Sequence, residues 1–319
     1  SPVSREGAFL ANNLVFAGLA FVVLLGTVFP LLVEAVNGER LSVGVPYFNR
    51  MAMPFGFALL TLMAVAPVMP WRRADSGLLR ERLFWPAWVG VAALVVAVLL
   101  GARGWAPLLA FALSGFAAGS ALRQLWLGVR THGLRGLLGR SNGGMVVHLG
   151  TIILAVAFAA SSSYVRQAEV RLSPGEEVTV AGHTVEYIET VTRGSDRLVT
   201  VAARVRVDGD QVFEPRLNRY RSSGMVIGTP SVRVGPAQDV YLALTSSPEA
   251  AGSGAAATGD EIGLRVIIQP MVVWLWTGGI VMVLGTVLAL VPTRRRRSEA
   301  AQTPEPEGPE GTDVDEVLT

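Results

Sequence analysis

Long apolar runs recur along the chain at about 10–33, 51–69, 86–100, 105–126, 143–161 and 271–291, separated by short polar or arginine-bearing stretches. A helix needs about 20 such residues to cross roughly 30 Å of hydrocarbon, so about six membrane spans are predicted. The third run is short and meets the fourth across only Ala102-Arg103-Gly104, which predicts a tight helical hairpin. Between the fifth and sixth runs the pattern changes. Val199, Val201, Ala203, Val205 and Val207 alternate with Thr200, Arg204 and Arg206, the period of a strand with one buried face. Pro174-Gly175, Ala181-Gly182, Arg193-Gly194 and Asp208-Gly209 read as turns between short strands. The expectation is an α-helical polytopic membrane protein with an inserted all-β domain, a sandwich or small barrel of about 100 residues.

The predicted divisions are a membrane domain over 1–163, the β domain over 164–268, a sixth span over 269–293, and a basic stop with a disordered acidic tail over 294–319. A Gly/Ala/Ser tract around 250–259 is predicted to be a flexible surface loop. Composition agrees with a membrane chain: of 319 residues, 51% are hydrophobic and 16% charged.

Charge supplies the orientation. Arg72, Arg73, Arg80 and Arg82 follow the second run, Arg123, Arg130, Arg135 and Arg140 the fourth, and Arg294 to Arg297 the sixth. The loops on the other side carry few Arg and no Lys. By the positive-inside rule the arginine-rich set and both ends lie in the cytoplasm, and the β domain is extracytoplasmic. Net charge is +2, and no basic run is interleaved with the aromatics that stack bases, so no nucleic-acid partner is expected.

The absence of cysteine excludes disulfides, thiolate metal sites, Fe–S clusters and cysteine nucleophiles. No phosphate-cradling glycine loop, Ser/His/Asp arrangement or zinc-protease motif is present. A transporter is disfavoured because the spans lack intramembrane carboxylates and visible repeats of helix triplets. The histidines are His132, His148 and His183. His148 lies one to two turns into the fifth run, where an ionisable group is costly. Two readings stand. It is a neutral side chain that bonds a neighbouring helix or interfacial water, or it is a haem ligand, with Gly143, Gly144 and Gly150 leaving room for a flat macrocycle. The same glycines equally serve close helix packing. His183, in a predicted strand, and His132, in a basic loop, read as ordinary surface residues. Leu122, Leu125, Trp126 and Val129 have helical spacing, which predicts an amphipathic interfacial helix over 122–140. Its arginines read as orientation signals and lipid-headgroup anchors, with haem propionates or a partner as the other reading. Asn12 and Asn13 are either interhelical hydrogen-bond donors or interfacial residues.

Several strings resemble the CcmF/NrfE family of cytochrome c maturation proteins, in that family's order. They are Ser4-Arg5-Glu6, Asn12-Asn13, Leu25-Gly26-Thr27-Val28-Phe29-Pro30, Ser42-Val43-Gly44-Val45-Pro46-Tyr47-Phe48-Asn49, and His148 in a His-x-Gly helix. Phe213-Glu214-Pro215 with Arg216 and Tyr220, Asp239-Val240-Tyr241, and Gln269-Pro270 before Val273-Trp274-Leu275-Trp276 complete the series. The resemblance implies the C-terminal half of a haem lyase in a bacterial inner membrane. It implies a membrane-embedded b-type haem (haem b) held by two transmembrane histidines, of which His148 matches the second. Catalytic residues are unassigned. The other histidine, a Trp-rich haem-handling loop and a pair of external histidines belong to the family's N-terminal half. With its polar opening at Ser1, the chain is expected to be a fragment, a processed chain or one half of a split protein.

The implied reaction joins haem vinyl groups to the two thiols of a Cys-x-x-Cys-His motif. The implied partners are the N-terminal half, a haem chaperone, apocytochrome c, its thiol-reducing maturation partners and membrane lipid. The alternative is a non-catalytic membrane scaffold that docks apocytochrome or maturation partners through the β domain. The orientation has a direct test, because the native chain offers no cysteine to confuse labelling. Single cysteines at Arg135 and Ser195 are expected to react with an impermeant thiol reagent from opposite faces. Labelling of both from the periplasm of intact cells would overturn the topology.

Overall fold

The structure, a computed structural model, describes residues 4–40, 42–70, 76–247 and 261–291. The 250–259 tract, Arg72, Arg73, Arg294 to Arg297 and the acidic tail fall outside those residues. Among the described residues six helices are long and apolar enough to cross a membrane: α1 (Arg5–Asn37), α2 (Val45–Val65), α3 (Ser76–Leu99), α4 (Trp105–His132), α5 (Arg140–Ser163) and α6 (Val272–Leu290). Short 3₁₀ turns follow α2 (η1, Ala66–Val68) and α4 (η2, Gly133–Leu137). Trp105 and Trp126 are both exposed on α4. At 1.5 Å per residue they stand about 30 Å apart, the thickness of the hydrocarbon layer whose borders such residues favour.

Three local expectations are corrected. The third run is not short, because α3 begins ten positions before Pro86 and carries Arg80 and Arg82 inside the helix. Arg82 then donates to the Val68 carbonyl in η1 (3.1 Å), so it satisfies a chain end that apolarity alone could not register. The 122–140 segment is not a separate interfacial helix, since α4 continues unbroken to His132. Leu125 is buried while Leu122 and Trp126 are exposed, so the apolar positions do not share one lipid face. Finally, Arg193-Gly194 is not a turn: a strand runs through Gly194, and the chain reverses at Ser195, whose hydroxyl accepts from the Leu198 N–H (3.1 Å).

Between α5 and α6 the described residues form ten strands: β1 (Arg166–Leu172), β2 (Glu177–Val180), β3 (His183–Gly194), β4 (Leu198–Val207), β5 (Gln211–Phe213), β6 (Arg216–Tyr220), β7 (Val226–Thr229), β8 (Ser231–Arg233), β9 (Gln238–Ser246) and β10 (Ile262–Pro270). They form two antiparallel sheets, β1-β10-β9-β8 and β2-β3-β4-β6-β7, with β5 paired to β4. Val201, Ala203, Val205 and Val207 of β4 meet Leu242 and Leu244 of β9 and Leu264 and Val266 of β10 in one core. On the outer face, Arg204 and Arg206 pair with Glu189 and Glu186, each at 2.7 Å. The alternation in β4 therefore separates an apolar interior from a charge-paired exterior.

Entry and exit of this domain are tied together. Arg166 at the start of β1 pairs with Ile268 near the end of β10, so the strands continue the neighbour relation of α5 and α6. Those helices meet backbone to backbone. A Cβ added at Gly150 would lie 2.5 Å from Met282 Cγ and 2.7 Å from the Gly278 carbonyl oxygen, and one at Gly285 would lie 2.6 Å from the Val147 nitrogen. Gly143, Val147, Gly150 and Leu154 thus face Gly278, Met282, Gly285 and Ala289, with the spacing of one helix face. Gly278→Ala is expected to force the pair apart and lower stability by about 1–3 kcal/mol, read as an earlier thermal transition in lipid nanodiscs. Gly144→Ala, which meets open space, is expected to stay within about 0.5 kcal/mol of the parent or to gain slightly.

Candidate functional site

Most of the motifs have structural work that their surroundings explain. Ser4 caps α1 by accepting from the Gly7 N–H (3.1 Å), and the Arg5 guanidinium donates to the Pro67 carbonyl of η1 (3.1 Å). Gly26 leaves space for Tyr47 and Phe48, whose rings lie 2.5 and 2.9 Å from where its Cβ would stand. Tyr47 Oη then donates to the Val22 carbonyl (3.3 Å), so the Leu-Gly-Thr and Pro-Tyr-Phe strings are two sides of one α1–α2 contact. Asp239 is buried and accepts from the Gly235 N–H (3.0 Å). It shapes the turn in which the Pro236 carbonyl accepts from Trp274 Nε1 (2.9 Å) and the Ala237 carbonyl from the Met271 N–H (3.0 Å). These bonds seat the β domain on α6. Glu214 accepts from Arg193 (3.4 Å) and Arg216 (3.0 Å) on the outer sheet face.

His148 is different. It lies on α5, with a half-buried ring. Its Nδ1 is buried with no hydrogen-bond partner among the described residues. Buried polar nitrogens are nearly always satisfied, and one that is not calls for a ligand, a water or a nearby group as its explanation. His148 is one residue beyond Val147, hence about 100° round the helix from the side that touches α6. Gly144, one turn before it, meets nothing within 4 Å of an added Cβ. The three glycines near His148 therefore divide by role: Gly143 and Gly150 let α6 approach, and Gly144 alone leaves room beside the imidazole.

His183 is not an ordinary surface residue. Its side chain is only 16% exposed, Nδ1–H donates to Asp208 Oδ2 (2.8 Å), and Nε2 accepts from the Gln238 amide nitrogen (2.8 Å). Asp208 Oδ1 also accepts from the Thr184 N–H (2.9 Å), and Arg233 is ion-paired to the same carboxylate. His183 stands at the start of β3 and Asp208 just after β4, while Arg233 ends β8 and Gln238 begins β9, so the cluster laces one sheet to the other beside the turn that seats α6. Sequence spacing gave no hint of it, because its members come from four separate places in the chain. The nearest signal was Asp208 itself, a turn residue with φ 52°. His132 is the last residue of α4. Neither Asn12 nor Asn13 has a hydrogen-bond partner among the described residues, which lends no support to an interhelical bond. Nor does any cluster of three or more His, Asp or Glu side chains among those residues have metal-site geometry.

Known proteins share this architecture. The chain is 33% identical over 303 residues to the cytochrome c-type biogenesis protein CcmF of Pseudomonas aeruginosa, covering 92% of this chain and 45% of that protein. A solved structure of the cytochrome c haem lyase CcmF superimposes with a TM-score of 0.72 at 30% identity, over 92% of this chain and 46% of the other. The chain belongs to the CcmF family and corresponds to its C-terminal half. CcmF of Escherichia coli is 29% identical over 313 residues, and the probable NrfE of the same organism is 23% identical over 295. No family model matches. The chain spans about half the length of the curated CcmF proteins it resembles. The CcmF fold thus accounts for the six spans and the inserted β domain together.

The lacing at His183 has a pH signature. Burial works to raise the Asp208 pKa, but hydrogen bonds from His183, Arg233 and the Thr184 N–H, with the charge of His183 when protonated, outweigh it and lower the value to about 2. The ordinary carboxyl value is about 3.9, so this carboxylate's contribution to stability is complete above about pH 4 and is lost as pH falls toward 2. Asp208→Asn is expected to lower β-domain stability at neutral pH and to flatten its dependence on pH between about 4 and 2, followed by denaturant titration of the whole chain in nanodiscs. An unchanged slope across that window would exclude Asp208 as its source.

Proposed function

We propose that this chain is the C-terminal part of a cytochrome c haem lyase in a bacterial inner membrane, with both ends cytoplasmic and the β domain extracytoplasmic. In this reading His148 supplies one axial ligand to a membrane-embedded b-type haem. The family assignment supports the haem lyase class, and the observation that carries the residue assignment is the imidazole itself. It is the motif side chain whose buried nitrogen the fold leaves without a partner, beside the open flank at Gly144. With the proton on Nδ1, the neutral ring presents the Nε2 lone pair, a good axial donor to haem iron. Haem bound there would supply one-electron chemistry that keeps substrate haem reduced, while this chain holds and orients the ligand. The second axial ligand and the haem-handling loop come from the N-terminal half. The haem chaperone, apocytochrome c and its thiol-reducing partners meet the assembled protein on the extracytoplasmic side.

The arginine distribution supports that sidedness, because Arg123 and Arg130 lie in the last three turns of α4, Arg135 in η2 and Arg140 at the first residue of α5. The test is the reduced-minus-oxidised spectrum of the chain assembled with its N-terminal half. His148→Ala is expected to weaken the low-spin b-type signal, with partial recovery when imidazole fills the vacated position. Gly144→Leu, which fills the open flank without touching the α5–α6 contact, is expected to weaken the same signal in a protein of unchanged thermal stability. An unaltered spectrum in a well-expressed His148→Ala protein would remove His148 as ligand and favour the scaffold.

A further inference from the structure

The orphaned nitrogen of His148 has a counterpart. Ser120 on α4 is fully buried, and its Oγ also has no hydrogen-bond partner among the described residues. The packing of α4 against α5 sets where these two groups lie. Ala117 of α4 and Ile152 of α5 share a cluster with Ala64 of α2, Phe111 shares another with Ala159 and Ala160, and an added Cβ at Gly128 would overlap the side chain of Asn142. In each of these contacts the residue number rises on α4 as it falls on α5, which fixes an antiparallel register. Ser120 lies three positions beyond Ala117 and His148 four positions before Ile152, so their backbones differ in depth by about 1.5 Å.

Direction agrees with depth. His148 is about 40° round α5 from Ile152, and Ser120 about 60° round α4 from Ala117. Ile152 and Ala117 share one packed cluster with Ala64 of α2, and two residues beyond Ala64 the chain passes into η1, which packs on α4. Two complementary groups, each buried and each unsatisfied, thus stand at one depth in the seam of α2, α4 and α5.

We propose that Ser120 is a positioning residue for His148: its hydroxyl oxygen is joined to the His148 Nδ1–H through one buried water, which accepts from Nδ1–H and donates to Ser120 Oγ. The inference deepens the haem-ligand reading and rests on it for its functional meaning. Buried waters characteristically join polar groups that would otherwise be unsatisfied, and both Ser120 Oγ and His148 Nδ1 are buried without a partner among the described residues. The bond has a chemical consequence. With the proton fixed on Nδ1, Nε2 is always the free donor atom, and the ring cannot turn its other edge toward the iron. Hydrogen bonding to the distal ring nitrogen is also how a protein sets the basicity of a ligating histidine.

The test reads the imidazole itself. His132, His148 and His183 are the histidines of the chain, so ¹⁵N-histidine NMR of the whole chain in nanodiscs resolves few ring pairs, and His148→Ala and His183→Asn assign them. The expected wild-type result is one neutral His148 tautomer, protonated and hydrogen-bonded at Nδ1. Ser120→Ala is expected to shift the His148 resonances or split them between tautomers while those of His183 stay in place, and Ser120→Thr, which keeps the hydroxyl, to restore them. Gln124→Leu, one turn further along α4, is expected to leave them unmoved. Unchanged His148 shifts in Ser120→Ala, or a loss caused by Gln124→Leu instead, would overturn the proposal.

The haem reading is separable in the assembled protein. Ser120→Ala is expected to retain a low-spin b-type spectrum with an altered midpoint potential that Ser120→Thr restores. If Ser120→Ala moves the ring resonances while His148→Ala leaves the haem spectrum intact, the hydrogen bond stands and the ligand assignment falls.

Discussion

Backbone contact between α5 and α6 is the constraint from which the rest of the architecture follows. A membrane interior offers no hydrophobic gain for bringing two apolar helices together, so association depends on close van der Waals approach. Gly150 and Gly278 permit that approach at one level and Gly143 and Gly285 at another. Because α5 and α6 are neighbours, the strands that extend them, β1 and β10, begin side by side and pair along their length. The inserted domain therefore inherits its first hydrogen-bonded ladder from a helix contact inside the bilayer. The same contact commits one side of α5 to packing and turns His148 away from it.

Backbone groups at membrane depth must find partners within the protein, and much of the motif chemistry answers that demand. The 3₁₀ turn after α2 exposes carbonyls at Pro67 and Val68, which accept from Arg5 of α1 and Arg82 of α3. Arg5 from the first motif and Arg82 from the topology set therefore stitch three helices together, as cations do at helix C-termini. Against that background an unsatisfied buried nitrogen stands out. The bundle supplies partners for carbonyls at the end of a helix, yet among the described residues His148 Nδ1 and Ser120 Oγ have none.

The β domain is joined to the membrane by polar bonds rather than by apolar burial. Trp274, Met271 and Asp239 hold the turn before β9 against the head of α6, and Gln238 and Arg233 of the other sheet bond the His183–Asp208 pair and so bind the two sheets beside that turn. Removing one partner of such a network leaves the others desolvated, which costs more than the bond itself contributes. This end of the sandwich is accordingly fixed by hydrogen-bond geometry, while its interior is fixed by the alternating apolar face of β4.

The six spans and the β insertion were legible in one dimension, because length of apolarity and period-two alternation are local properties of the chain. His148 was visible as a candidate for the same reason, being an ionisable residue in an apolar run. The family motifs were also readable as strings, although only their contacts explained them: Gly26 needs Tyr47 and Phe48, and Asp239 needs the turn that receives Trp274. What the tertiary structure alone decided was which of several equivalent residues does which task. Three glycines surround His148 in sequence, but helix neighbours assign two to packing and leave one open. His183 looked like a surface histidine until β8 and β9 brought Arg233 and Gln238 into its cluster. Ser120 carried no signal at all, since a serine in a transmembrane helix becomes informative only when the register of α4 against α5 sets it opposite an imidazole without a partner.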